Sequence, residues 1–165
     1  MIRFAVDFPY PIAVRYPRGA AYEGLQQFRS PISYGKSELL YEEEKVAVLF
    51  VGHMAEIADQ VRKELKEKGY GCSLVNARFV KPLDTQMLKK LSENHELFVT
   101  IEENVLTGGF GEQVLDYISK EGLRVRVKNF GISDDYVEHG NVDLLRREVG
   151  LDKETIVKQI EEILG

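Results

Sequence analysis

Six consecutive apolar residues, VAVLFV at 46–51, leave no polar face. That is the pattern of a strand covered by helices on both sides. Behind Gly52 the period changes. In HMAEIADQVRKELKEKG the apolar positions Met54, Ile57, Ala58, Val61 and Leu65 recur at helical spacing, and Gly69 supplies a stop. CSLVN (72–76) reads as the next strand. DTQMLKKLSE (84–93) reads as a helix behind Pro82 with Asp84 as its N-cap. LFVTI (97–101) is a third apolar strand, and GEQVLDYISKEG (111–122) a third helix with Val114, Leu115 and Ile118 on one face. VRVKN (125–129) alternates apolar and polar, which predicts a less buried strand near a sheet edge. Asn141 and Asp152 read as N-caps of two closing helices, 142–149 and 153–164.

Strands and helices alternating at these lengths predict an α/β fold. Its sheet is mainly parallel and twisted, with helices on both faces and right-handed crossovers. Residues 1–29 stand outside the alternation. IAVRY (12–16) has strand character but is hemmed in by Pro9, Pro11 and Pro17. Residues 30–45 read as a linker leading into a short strand, about KSELLY, and 46–165 as one complete domain. An isolated strand exposes unpaired backbone groups. The tail therefore predicts partner strands elsewhere, in a longer protein of which this chain is a fragment.

Composition narrows the function classes. A net charge of -5 over 165 residues argues against coating a nucleic-acid duplex. The charge is uneven, however. Residues 1–30 hold Arg3, Arg15, Arg18 and Arg29 against Asp7 and Glu23, a surplus of two, so the remainder carries -7. Arg15 and Arg18 bracket a Tyr-Pro pair and are followed by Gly19. The proline stiffens the backbone, and a guanidinium held there offers paired donors to a phosphate. The other reading is a pair of surface arginines at a domain junction.

The single cysteine, Cys72, excludes an internal disulfide and fits a reducing compartment. Its apolar surroundings predict a buried, inert thiol. No run matches a membrane span or a secretory signal, and the expected location is the cytoplasm. His53, His95 and His139 lie too far apart in sequence for a metal-ligand spacing. Glu102, Glu103 and Asn104 follow a buried strand, where α/β sheets place functional groups. Neighbours in an extended segment point apart, so structural or interface roles are expected for them. TGGFGEQV (107–114) reads as a tight strand-to-helix turn. The alternative is an anion held on its amides, although the spacing fits neither standard nucleotide motif. No self-sufficient catalytic set is visible.

Four blocks occur in order: AVRYPRG (13–19), ARFVKPLD (77–84), VTIEENVLTGGFGEQV (99–114) and GISDDYVEHG (131–140). Together they resemble the last part of the 1-deoxy-D-xylulose-5-phosphate synthase family, thiamine-diphosphate enzymes related to transketolase. The middle blocks are shared more loosely with transketolases and 2-oxo-acid dehydrogenase subunits, whereas RYPRG points to the synthases. The resemblance implies that residues 1–29 are the tail of a pyrimidine-binding domain and 46–165 a transketolase-like C-terminal domain. It implies that Arg18 contacts the phosphate of D-glyceraldehyde 3-phosphate, with possible support from Arg15, Tyr16 and Gly19. The family's Gly-Asp-Gly motif, its cofactor-activating glutamate and its thiazolium-side histidines are not in this sequence. Thiamine diphosphate and Mg2+ are therefore expected on the missing N-terminal domains of a homodimeric parent, with this fragment inactive alone. Two alternatives stand beside this reading: the interaction domain of a 2-oxo-acid dehydrogenase beta subunit, and a freestanding anion-binding α/β protein.

Overall fold

A computed structural model describes residues 1–17 and 21–165. Strand β1 (Glu38–Tyr41) is followed by β2 (Lys45–Phe50), β3 (Cys72–Asn76), β4 (His95–Val105) and β5 (Arg126–Ile132). Their order across the sheet is β1-β3-β2-β4-β5. β2, β3, β4 and β5 run parallel, and β1 closes one edge antiparallel to β3. The sheet is thus mainly parallel, as the alternation predicts.

Neighbouring residues of β2 feed opposite layers. Val46, Val48 and Phe50 join a core with helix α2 (Ala55–Glu67) and helix α6 (Lys153–Leu164). Ala47 and Leu49 join a second core with helix α3 (Thr85–Leu91) and helix α4 (Phe110–Glu121). This two-sided burial is why the strand has no polar face. A single 3-10 turn, Gly52–Met54, links β2 to α2. The caps form as expected: Asp84 accepts from Met87 N, Asp152 from Thr155 N, and Asn141 from Asp143 N and Leu144 N at the start of helix α5 (Val142–Glu148).

From β2 the chain moves to β3 on one side and then returns past β2 to β4 on the other. The carboxyl ends of β2 and β4 are therefore a topological switch point, the place where open α/β sheets form crevices. The two strands remain linked there by Val51 N donating to Ile101 O.

Three expectations change. Residues 12–16 form no strand. Ahead of them lies a short helix, α1 (Ile2–Asp7). Its Phe4 and Phe8 stack on each other and meet Phe79 and Tyr34 edge-on or tilted. Leu115 is not on the buried face of α4 and is 47% exposed. That face is Phe110, Val114 and Ile118, a strict four-residue spacing, and Leu115 sits about 100° around the helix from Val114. No helix among the described residues is long and apolar enough to cross a membrane.

Candidate functional site at the carboxyl edge of the sheet

β4 runs past the end of β2 and delivers Glu102, Glu103 and Asn104 to the switch-point edge. The first two carboxylates point apart and do different things. Glu102 is 2% exposed. Its Oε2 accepts from Phe110 N at 2.9 Å and its Oε1 from Gly111 N at 2.8 Å. The negative charge sits on the N-terminus of α4, where unpaired amides and the helix dipole favour it. The anion at the Gly-rich turn is thus the chain's own side chain, and the freestanding anion-binding reading loses its site.

The glycines of this turn answer to that packing. Gly108 adopts φ +74, which favours glycine. A Cβ on Gly109 would lie 2.6 Å from both Glu102 Oε1 and Val105 O.

Glu103 turns the other way. Its Oε1 accepts from Arg146 Nε and Nη2 of α5, each at 3.0 Å. Its carbonyl accepts from Arg15 Nη2 at 3.2 Å, and Asn104 Oδ1 accepts from Arg15 Nη1 at 3.1 Å. The first arginine of the RYPRG block is therefore docked on the end of β4, through neutral acceptors. Tyr16 is exposed. Arg18, which carries the phosphate expectation, and Gly19, expected in support, lie outside the described residues.

Further along the same segment, Tyr22 donates its hydroxyl to Asp59 Oδ2 of α2 at 2.9 Å. Asp59 is buried, and the same oxygen meets Lys63 Nζ at 2.8 Å. Burial and the bond to Asp59 raise the Tyr22 hydroxyl above its ordinary value, so it stays a donor. The segment around 30 is tied down separately. Ser30 N and Oγ donate to Glu38 Oε1, and Arg78 reaches Glu38 and the carbonyls of Ser30 and Pro31. Burial alone would raise the Glu38 carboxyl, but these donors hold it below its ordinary value.

The remaining candidates are structural. Cys72 is buried and its thiol is pushed up to about 12, chiefly by burial. His95 is buried between Leu91 O (2.7 Å) and Ser73 Oγ (2.9 Å), and burial lowers its pKa. No group of three His, Cys, Asp or Glu among the described residues is placed to hold a metal ion. The switch-point edge does not fit a magnesium diphosphate either, because Glu102 is committed to α4 and Glu103 to Arg146. A hollow of about 840 Å³, open to solvent, lies at the opposite edge between His95, Glu96, Arg124 and Arg126. Of the candidate groups it takes in His95 alone.

The sheet order, the two helical layers and the acid-capped Gly-rich turn define an α/β domain of the transketolase C-terminal type. Residues 35–156 match the family described as "Transketolase, C-terminal domain", and the chain belongs to that family. Among solved structures, one titled "Split gene transketolase, inactive beta4 tetramer" has a TM-score of 0.78 at 24% identity. It covers 88% of this chain and 47% of its own. The Campylobacter jejuni transketolase has a TM-score of 0.58 at 19% identity, over 78% of this chain and 18% of its own. These likenesses bear on the fold.

The curated relatives bear on the particular protein. A 1-deoxy-D-xylulose-5-phosphate synthase of Lachnoclostridium phytofermentans is 45% identical over 161 residues, 97% of this chain and 26% of the relative. The Aquifex aeolicus enzyme of the same name is 42% identical over 154 residues, 93% of this chain and 24% of the relative. The chain spans about a quarter of the length of the synthases it matches. The resemblance carried by the four blocks is the one the relatives bear out.

Proposed function

We propose that this chain is the C-terminal part of a 1-deoxy-D-xylulose-5-phosphate synthase, a transferase that condenses pyruvate with D-glyceraldehyde 3-phosphate and releases carbon dioxide. The observation that carries this is 45% identity to a synthase over 161 residues, 97% of this chain. Thiamine diphosphate, held with Mg2+ by domains outside these residues, supplies the carbanion chemistry. This chain's part is to bind and orient. Arg18 contacts the substrate phosphate, with Arg15, Tyr16 and Gly19 in support. The docking of Arg15 favours this reading: its partners are a carbonyl and an amide oxygen, so its positive charge is not cancelled by a carboxylate. The enzyme is a cytoplasmic homodimer paired through the C-terminal domain. The exposed Tyr136, Val142 and Leu144 beyond β5 support that surface.

The test is an assay with pyruvate, D-glyceraldehyde 3-phosphate, thiamine diphosphate and Mg2+. The chain alone should show no turnover. The L. phytofermentans synthase should remain active when its matching 161 residues are replaced by this chain. Within that chimera Arg18→Ala should raise the KM for the phosphorylated aldehyde and leave the KM for pyruvate in place. Turnover by the chain alone, or an Arg18→Ala effect confined to pyruvate, would refute the proposal.

A further inference from the structure

At the amino end of the sheet, one buried hydroxyl stands between two acceptors. His95 opens β4 and is buried. Its Nδ1 meets Leu91 O at 2.7 Å, and a carbonyl can only accept, so Nδ1 carries a proton. Its Nε2 lies 2.9 Å from Ser73 Oγ of β3. The same oxygen accepts from Glu43 N at 2.8 Å and lies 3.0 Å from Glu43 O, in the turn between β1 and β2. Ser73 has one proton to give. With a neutral ring both Nε2 and Glu43 O require it, and one of them goes without. With a charged ring Nε2 donates instead, Ser73 Oγ accepts twice and its own proton serves Glu43 O, so every group is matched.

We propose that His95 and Ser73 form a proton-operated latch on the β1–β2 turn: a proton on the ring turns the Ser73 hydroxyl onto Glu43 O, and its loss turns the hydroxyl back onto Nε2. Two influences on the ring oppose each other. Burial disfavours the charged form and holds the pKa below its ordinary value. The carbonyl of Leu91, the last residue of α3, and the carboxylates of Glu42 and Glu44 favour it. The neighbouring carboxylates of the turn have cations of their own. Glu42 pairs with Lys90 at 2.6 Å, and Glu43 with Lys66 at 2.6 Å and Arg62 at 3.8 Å. Lys45 is the register partner of His95 on β2, and Glu93, Glu96, Arg124 and Arg126 line the open hollow beside it. On β3 the adjacent titratable group is Cys72, whose thiol stays protonated. The ring thus titrates inside a closed set of bonds that joins α3, β3, β4 and the turn.

In this chain, isotope-labelled for NMR, the His95 ring and the Glu43 carbonyl carbon should shift with pH at one shared midpoint, below the ordinary histidine value near 6.5. Above that midpoint the ring nitrogens should show the Nδ1–H form. Ser73→Ala should leave the His95 titration in place and flatten the Glu43 carbonyl response. His95→Phe removes the competing lone pair, so the hydroxyl stays on Glu43 O and the carbonyl signal should rest at its acidic position at every pH. This second variant keeps a ring beside Phe98 and serves where a Ser73→Ala chain fails to fold. The unfolded chain takes up this proton before the native one does, so stability falls as pH drops from the ordinary value to the folded one and levels off below it. Urea midpoints across that window should lose this fall in His95→Phe. A Glu43 carbonyl that ignores the His95 titration would overturn the latch. So would a carbonyl response that survives Ser73→Ala, or one that still follows pH through the same midpoint in His95→Phe.

Discussion

Replacing Glu102 by glutamine changes one atom and removes one charge, at the point where β4 hands the chain to α4. In the native chain both carboxylate oxygens accept from helix amides, at 2.8 and 2.9 Å, in a site 2% exposed. A carboxamide has one acceptor and one donor group in the same place. One oxygen keeps its amide partner, and the NH2 group then faces the other amide, donor against donor. Hydrogen bonds to a charged group contribute about 1.5–3 kcal/mol each, and an orphaned buried donor costs about 1–3 kcal/mol. Glu102→Gln should therefore destabilise the fold by roughly 2–3 kcal/mol, and Glu102→Ala, which orphans both amides, by roughly 3–5 kcal/mol. With a urea m-value of about 2 kcal/mol/M, the glutamine variant should unfold at a midpoint about 1 M lower than the parent. Circular dichroism at 222 nm against urea reads this directly. The alanine variant adds a second reading: it vacates an anion site at a helix N-terminus, so sulfate should stabilise it more than it stabilises the parent. A glutamine variant within about 0.5 kcal/mol of the parent, the range of ordinary surface substitutions, would refute the self-capping account.

Three further outcomes follow from the same coordinates. Gly109→Ala would push a methyl group to 2.6 Å from Glu102 Oε1 and Val105 O, and should lower stability by about 2–3 kcal/mol in a thermal melt. Glu38 titrates below its ordinary value in the fold, so the unfolded chain binds more protons than the native one as pH falls. Its contribution is present above the ordinary carboxyl value near 4.5 and is lost as pH falls through the lower folded value. Urea midpoints between pH 5 and pH 3 should accordingly fall less steeply in Glu38→Gln than in the parent. With its thiol pushed up to about 12 and buried, Cys72 should not react with a disulfide reagent at pH 8 until urea unfolds the chain.

What sequence pattern can reach is local periodicity, and here it reached far. CSLVN is a strand with the same bounds as β3, and VRVKN is an edge strand because its alternation reflects one half-exposed face. The cap residues Asp84, Asn141 and Asp152 were legible because an N-cap acts over three residues. The misreadings share a cause, a signal too short or too distant. α1 spans 6 residues, less than two turns, too few for a periodicity to register. Leu115 was grouped with Val114 and Ile118 because Phe110 was read as part of the turn rather than as the first helical residue. Without that anchor the buried stripe cannot be phased. The roles of Glu102 and Arg15 depend on contacts 8 and 89 residues away. An acid eight or nine residues ahead of a Gly-rich helix start is a pattern that could have raised the first. Nothing along the chain pairs Arg15 with Asn104.

The distribution of partners at the switch-point edge also separates scaffold from function. The strand-end carboxylates are both consumed in holding helices: Glu102 at the start of α4 and Glu103 on Arg146 of α5. Arg15 is treated in the opposite way. It is oriented by oxygen atoms without formal charge, in a segment with a surplus of two positive charges in a chain that is otherwise acidic. The strand-end carboxylates are thus taken up in holding helices, while Arg15 is oriented at the end of β4 by a carbonyl and an amide oxygen. The domain's contribution is the strand end on which Arg15 is held.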